Sequence, residues 1–487
     1  MSARSQKQRV LIKGAMIASK DFEQWAISTA DILIEDGLIS AIGSPPSEKY
    51  EGLDKIIEGK DRLVMPGLVN AHTHSPLSVV HGAYDLLNHR ACMWLFQAYT
   101  ANRTPREVYI STMLNSIELL LSGTTAALDH FPEQAFTEED VEAAVLAYRD
   151  AGIRAHLALR VFDGEYTDIL PENGELPLSL QAEVQRLNPY APDTLGRIKE
   201  LCVSSIELWH GDSGRISIGP APSNPMRCSD DLLEMCVELG ETHNVGTHCH
   251  LLETEVQSQI AFERYKTTTV RHLDAIGLLS PKLSCAHTIW INEADIQLMA
   301  DKGASVVHNP ESNFLTGSGR APIPEMIARG VNVGLGSDGS CSSGDQSIHR
   351  AMKLATAVHR NAEKDRAKWI GAETALEMGT VGGATAMFSS GDFGSLTVGK
   401  KADLVLYDLT HPCWAPLNDP IYQFVQSETG AGVDTVIVGG SVLVEGGKIS
   451  AFDADAVLEE ARSLVPAMKD RNKELFEVVE KVGAVVI

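Results

Sequence analysis

Between residues 64 and 338 the chain alternates eight apolar runs of strand length with amphipathic stretches of helical period, and no other feature limits the fold as much. The runs are 64–72, 124–130, 153–162, 215–220, 244–250, 283–287, 304–308 and 331–338; helical stretches such as 106–122, 138–151, 230–243 and 293–302 lie between them. A strand, a helix and a second strand return to one sheet in parallel through a right-handed crossover. Eight such units over about 325 residues predict a (β/α)8 barrel with insertions, spanning 64–389. The alternative is an open doubly wound sheet. It is weakened for dinucleotide binding because no G-x-G-x-x-G follows the first run.

The flanks have a different texture. Arg9–Gly14, Asp31–Gly37 and Leu38–Gly43 are β-branched runs closed by glycine, and Ala402–Asp408 and Asp434–Val444 repeat the pattern near the other end. About forty residues bury too little surface to stand alone, so 1–63 and 390–450 are expected to build one small β-subdomain together. Residues 451–487 read as a helical segment, centred on 453–482.

Composition removes whole classes. With Lys plus Arg at 41 and Asp plus Glu at 65, the formal charge is −24, which argues against nucleic acid or an anionic membrane as partner. No stretch approaches the ~20 apolar residues that span a bilayer, and the basic start 1–9 lacks the apolar segment of a secretory signal. The eight cysteines form no C-x-x-C pair, and several sit in apolar runs, so reduced, buried thiols are expected. A cytoplasmic protein acting on a small molecule fits this profile.

The chemistry lies at the ends of the apolar runs. Two H-x-H pairs occur, His72/His74 and His248/His250, where chance placement of 16 histidines gives about half a pair. Residues i and i+2 of a strand face one way, so each pair aims both imidazoles into one space. The C-terminal end of a barrel strand is where sites are built, and His250, His287, His308 and Asp338 each close another run, with Glu253 three residues beyond His250. One such histidine alone is more often a core residue bonded to backbone. Five run ends finishing in His or Asp point instead to a divalent metal, zinc first and ferrous iron second, held by neutral nitrogen and anionic oxygen.

At these residues the chain resembles the amidohydrolase superfamily. Pro66-Gly-Leu-Val-Asn-Ala-His-Thr-His74 is similar to its first-strand motif, and His250-Leu-Leu-Glu253 to the H-x-x-E of its deaminase branch. Cys285-Ala-His287 is similar to the fourth-histidine motif and Gly336-Ser-Asp338 to the last-strand aspartate. Gly394–Val405 resembles the segment that returns such chains to a β-sandwich, which is what the resemblance implies for the terminal subdomain. The likeness covers nearly the whole chain and is greatest to the group containing S-adenosylhomocysteine deaminases and s-triazine hydrolases. It implies His72, His74, His250 and Asp338 as ligands, His287 as fifth ligand or hydrogen bond to the water, and a homodimer or larger assembly. His250 is preferred to His248 because only it has the glutamate three residues on. Two-metal members add a bridging lysine on the fourth strand. Here the only lysine between Arg160 and His250 is Lys199, in a charged stretch ahead of that strand, so one metal ion per chain is expected.

The resemblance implies hydrolysis at an amine-bearing or halide-bearing carbon of a nitrogen heterocycle of purine, pterin or s-triazine type. In that reading metal-activated water attacks, Glu253 moves its proton to a ring nitrogen, and Asp338 with His308 passes a second proton to the leaving group. A catalytically dead scaffold is disfavoured because all five metal positions and Glu253 are present. Cleavage of ureas or carbamates, or of C–Cl bonds in s-triazines, is the alternative on the same framework. Ammonia or an amine is preferred as leaving group because it needs a delivered proton, which the Asp338–His308 pair supplies and chloride does not require. Stretches 320–327 and 357–360 resemble s-triazine enzymes but read as helical framework. Trp94 resembles a substrate-loop tryptophan, with core packing as the alternative. His81, His89 and His130 are read as mouth or loop residues.

Overall fold

The structure is a computed structural model describing residues 9–21, 24–45, 50–85, 89–134, 136–164, 177–187, 193–360 and 364–483. The basic start 1–8 and the His89 side chain lie outside the described residues. Five strands precede the middle region: β1 Arg9–Asp21, β2 Gln24–Glu35, β3 Leu38–Gly43, β4 Lys55–Glu58 and β5 Arg62–Pro66. The middle holds β6 Leu68–Thr73, β7 Thr124–Phe131, β8 Arg154–Val161, β9 Ile216–Pro222, β10 Thr247–Leu251, β11 Leu283–His287, β12 Ser305–His308 and β13 Asn332–Leu335. After it come β14 Leu404–Asp408, β15 Val433–Val438, β16 Ser441–Glu445 and β17 Lys448–Ile449.

All eight expected middle strands are present, in two four-stranded parallel sheets ordered β6-β7-β8-β9 and β10-β11-β12-β13. The two sheets meet at both edges. A parallel bridge joins Thr73 to Asp338 beyond β6 and β13, and the Asp338 amide donates to the His72 carbonyl at 2.9 Å. On the other side, a Cβ on Gly219 of β9 would lie 2.2 Å from the Gly246 carbonyl oxygen just before β10. β7 and β8 are buried along their whole length, as parallel strands covered on both faces must be. Helices Glu138–Ala151 and Glu293–Lys302 begin and end where their capping residues dictate: Thr137 and Asn292 accept from the first turn, and Gly152 and Gly303 close in the left-handed region.

Both termini contribute to one sheet. Nine strands pair in the order β17-β16-β15-β14-β5-β1-β2-β3 with β4 on β1, and β5 joins the halves by antiparallel pairing to β14, Leu63 opposite Tyr407. The continuous run 64–72 is therefore two strands in two sheets. Gly67 makes the break: its amide donates to the Asp403 carbonyl, and a Cβ there would lie 2.0 Å from Thr125 Oγ1. Hydrophobicity marks burial, not sheet membership, so the run hid the junction. The terminal helical segment is likewise two helices, Ala454–Arg471 and Lys473–Gly483, interrupted at Asn472. The Asn472 side chain donates to the Ala98 and Ala101 carbonyls, both at 2.9 Å. The cysteines are all free, six of them buried, and no described helix is long and apolar enough to cross a membrane.

Three buried histidines of the framework make the fold acid-sensitive. Burial pushes His156 from 6.5 down to about 3, and His349 and His359 down to about 4. Each stays neutral in the fold but takes a proton in the unfolded chain below pH 6.5, so stability is full above that pH and falls from 6.5 towards 4. The urea midpoint of the metal-free protein should drop steadily between pH 7 and 4.5; a midpoint that stays flat over that interval would contradict the assignment.

Candidate metal centre

The C-terminal ends of the parallel strands converge on one polar cluster. β6 delivers His72 and, just past its end, His74; β10 delivers His248 and His250; β11 ends at His287; Asp338 follows β13. His287 and Asp338 have φ of 69° and 64°, a left-handed conformation that a non-glycine residue adopts at a cost of order 1–3 kcal/mol. At Asp338 the backbone bond to His72 and the bridge to Thr73 hold that conformation in place.

Four imidazoles are fixed through Nδ1. His72 Nδ1 faces His248 Nε2 at 2.9 Å, and His248 Nδ1 meets Ser284 Oγ at 3.1 Å. His74 Nδ1 donates to Glu133 Oε1 (2.5 Å), His250 Nδ1 to the Ser223 carbonyl (2.7 Å) and His287 Nδ1 to Asn313 Oδ1 (2.7 Å). Each ring's Nε2 is thereby directed away from its anchor, into a shared space. His74 Nε2 lies 3.3 Å from His250 Nε2 and 3.3 Å from Asp338 Oδ1; His72 Nε2 is 3.6 Å from Asp338 Oδ1. His287 Nε2 is 3.9 Å from both Glu253 Oε1 and Asp338 Oδ2.

Those spacings suit a cation. Donors about 2.0–2.2 Å from one ion stand roughly 3–4 Å from each other. The ligand atoms of His72, His74 and His250, and of His72, His287 and Asp338, lie within 4.8 Å of one another in each set. His72 Nε2 is buried with no hydrogen-bond partner, which a metal ion would supply. Burial holds His72 and His250 well below the usual imidazole range, leaving them neutral as ligands must be. At His74 burial acts in the same direction, but Glu133 and Asp338 outweigh it and the value rises. The donor set therefore fits a divalent ion.

A cavity opens over the cluster, lined by His74, His250, Glu253, His287 and Asp338 on its polar side and Leu77, Met93 and Phe96 on its apolar side. Asp338 is steadied by the Gly339 amide on Oδ1 (2.8 Å) and Ser312 Oγ on Oδ2 (2.6 Å). His308 is fully buried, is not among the cavity residues, and has His359 as ring neighbour at 5.5 Å. Trp94 sits in an apolar cluster with Leu180, Met226 and Val478, while its neighbours Met93 and Phe96 face the cavity. His130 is not a mouth residue: it is buried edge-on against His250, with ring centroids 4.5 Å apart. His81 is about half exposed, beside Glu118. Sequence reading missed Glu133, Arg160, Ser223, Ser312 and Asn313. The one available signal was Arg160, a charge that follows the apolar run Leu157-Ala-Leu159 near the end of the strand 154–161.

Residues 63–443 match the amidohydrolase family. The chain belongs to it. A 5'-deoxyadenosine deaminase of Methanosarcina mazei is 33% identical over 457 residues, covering 93% of this chain and 96% of its own. A 5-methylthioadenosine/S-adenosylhomocysteine deaminase of Syntrophobacter fumaroxidans is 32% identical over 471 residues, covering 96% and 99%. Among solved structures, an adenosine deaminase from Xanthomonas campestris with bound zinc superposes with a TM-score of 0.81 at 26% identity, covering 95% of this chain and 98% of that one. Atrazine chlorohydrolase from Arthrobacter aurescens TC1, complexed with zinc, gives 0.84 at 25% identity, covering 94% and 100%.

Gly336 offers a check on the centre that substitutes none of its polar residues. A Cβ there would lie 2.3 Å from Asn309 Oδ1 and 2.7 Å from His72 Cβ. Gly336→Ala should displace His72 and cost about 1–3 kcal/mol of stability through overpacking. It should also weaken metal retention about tenfold, as loss of a ligand's support does. Metal content after dialysis, with the thermal unfolding midpoint, measures both.

Proposed function

We propose that the protein is a zinc-dependent aminohydrolase that removes the exocyclic amine of a purine nucleoside of the adenosine type. Hydrolysis of a C–N bond in an amino-substituted nitrogen heterocycle accords with the family and with relatives named as deaminases of adenosine derivatives. The observation that carries it is the pair of carboxylates, Glu253 and Asp338, each 3.9 Å from His287 Nε2 in one cavity beside the imidazole cluster. We read the two parallel sheets as halves of a closed (β/α)8 barrel that starts at β6 rather than at residue 64 and runs to 389, the nine-stranded sheet as a β-sandwich built from 1–66 and 390–450, and 451–487 as a helical appendage.

His72, His74, His250 and Asp338 would hold one zinc ion, with His287 a fifth ligand or a hydrogen bond to the water. The ion would lower the pKa of a bound water enough for hydroxide to exist near neutrality. Glu253 takes the water's proton and gives it to the ring nitrogen beside the amine-bearing carbon, making that carbon electrophilic. Asp338, held by Ser312, accepts the second proton and returns it to the departing amine, which is a poor leaving group until protonated. Ser312 is the hydroxyl bonded to Asp338, and His308, which sequence reading paired with Asp338, is buried at the end of β12. Leu77, Met93 and Phe96 cover the apolar face of the substrate and help exclude bulk water.

Glu253→Gln should retain zinc and fold but lose kcat by a hundredfold or more, as expected when a positioned acid–base group is removed. Near-parental turnover in zinc-replete Glu253→Gln protein would end the assignment. Elemental analysis should give one zinc per chain, and two at full occupancy would contradict the single-metal reading. Ammonia release should be fastest on adenosine derivatives within a panel that also holds pterins, s-triazines, ureas and carbamates. Urea or carbamate cleavage without ammonia from any heterocycle, or chloride release from a chlorotriazine alone, would replace the deaminase reading. The same reading makes the enzyme a cytoplasmic homodimer or larger assembly; a monomer mass by light scattering at micromolar concentration would remove the dimer.

A further inference from the structure

Among the four imidazoles of the centre, three lean on neutral acceptors: His72 on the His248 ring, His250 on the Ser223 carbonyl and His287 on the Asn313 amide. His74 alone leans on an anion, Glu133. Glu133 is buried just beyond β7, and Arg160 reaches it from the neighbouring strand β8. The Arg160 Nη1 group pairs with the Glu133 carboxylate and donates to its backbone carbonyl at 2.8 Å. Its Nε donates to Ser223 Oγ at 3.0 Å. Ser223 is the residue whose carbonyl receives His250 Nδ1. One guanidinium thus ties together the acceptors behind two imidazoles that face the same space from different strands, with Nε2 atoms 3.3 Å apart.

We propose that Glu133 is a positioning residue that fixes His74 for metal binding, and that Arg160 locks Glu133 and the Ser223 acceptor of His250 into one register. The inference rests on the zinc reading of the cluster. A buried ion pair stabilises a fold little, since its desolvation cost offsets most of the attraction, and an apolar pair of similar volume often does as well. Packing therefore gives little reason to keep Glu133 and Arg160 at this place. Orientation does: a carboxylate at the far nitrogen of a metal-facing histidine sets the ring's tautomer and direction and raises its ligand strength. Because both residues also line the cavity, contact with substrate is the competing role.

The test uses the full-length protein and three variants. Glu133→Gln keeps an oxygen acceptor for His74 and removes the charge, and Glu133→Ala removes both. The double variant Glu133→Gln/Arg160→Met avoids leaving a guanidinium buried without its partner. Zinc dissociation constants by chelator competition should rise about tenfold in Glu133→Gln and the double variant, and up to about a hundredfold in Glu133→Ala. The visible absorption of the cobalt-substituted protein should shift in all three, and excess zinc should restore kcat in Glu133→Gln with KM unchanged. Unchanged zinc affinity and cobalt spectrum together with a raised KM would assign Glu133 to the substrate and overturn the proposal. Unchanged zinc affinity in the double variant would overturn it even if Glu133→Ala failed to fold. A parent protein that takes up no zinc would remove the zinc reading itself, and this inference with it.

Discussion

The contact on which the site depends is a single backbone hydrogen bond, from the Asp338 amide to the His72 carbonyl, where the first and last parallel strands of the middle region meet. It joins residues far apart in sequence and sets the carboxylate over the two N-terminal histidines in one step. Around it, Gln346 Oε1 accepts from Thr73, Asn70 and Ser337 while its Nε2 donates to the Asp338 carbonyl at 3.2 Å. These groups are buried, so each needs the others; an unpartnered polar group there would cost about 1–3 kcal/mol. Glycine makes the approach possible at Gly336, where a side chain would clash with Asn309 Oδ1 and press on His72.

The second constraint is electrostatic. His72, His130, His248 and His250 are held neutral, and burial is the largest cause in each case. A cluster of this kind has free nitrogens, strong ligand character and no charge of its own. Charge enters through Asp338 and Glu253 on the cavity side and through Glu133 behind His74. At Glu133 burial opposes ionisation, but Arg160 and His74 outweigh it and hold the carboxyl well below its usual range. Anionic groups thus stand where protons or a cation must be handled, and neutral groups elsewhere.

The apolar half of the cavity is controlled from farther away. Helix His89–Thr100 turns Met93 and Phe96 towards the cavity, while Trp94 packs outward with Val478 and Val482 of the last helix. Asn472, at the break between the two terminal helices, bonds the carbonyls at the end of that same helix. Arg471 Nη2 adds a bond shared between the two Glu107 carboxylate oxygens, at 2.9 and 2.8 Å. The C-terminal segment is therefore part of the wall around the site, although nothing in its own sequence carries chemistry.

Periodicity by itself determined the eight parallel strands and several helices between them, and it joined both termini in one small β-subdomain, whose strands pair as a single nine-stranded sheet. These are local patterns or follow from how little a forty-residue piece can bury. The same strand ends supplied His72, His74, His250, His287, Glu253 and Asp338, because alternation along a strand says which residues share a face. What only the tertiary structure decided is which side chains stand behind them. Arg160 lies on β8, Glu133 and Ser223 just past β7 and β9, and Ser312 and Asn313 in the short helix Pro310–Leu315, and their partners are chosen by how these elements meet in three dimensions, which no local pattern encodes. Trp94 and His308 show the converse: their motifs are legible, but packing set Trp94 in an apolar cluster and left His308 fully buried, outside the cavity lining. The split of 64–72 between two sheets has the same origin. Apolar character fixes that a segment is buried, and only the neighbours it meets in three dimensions fix against what.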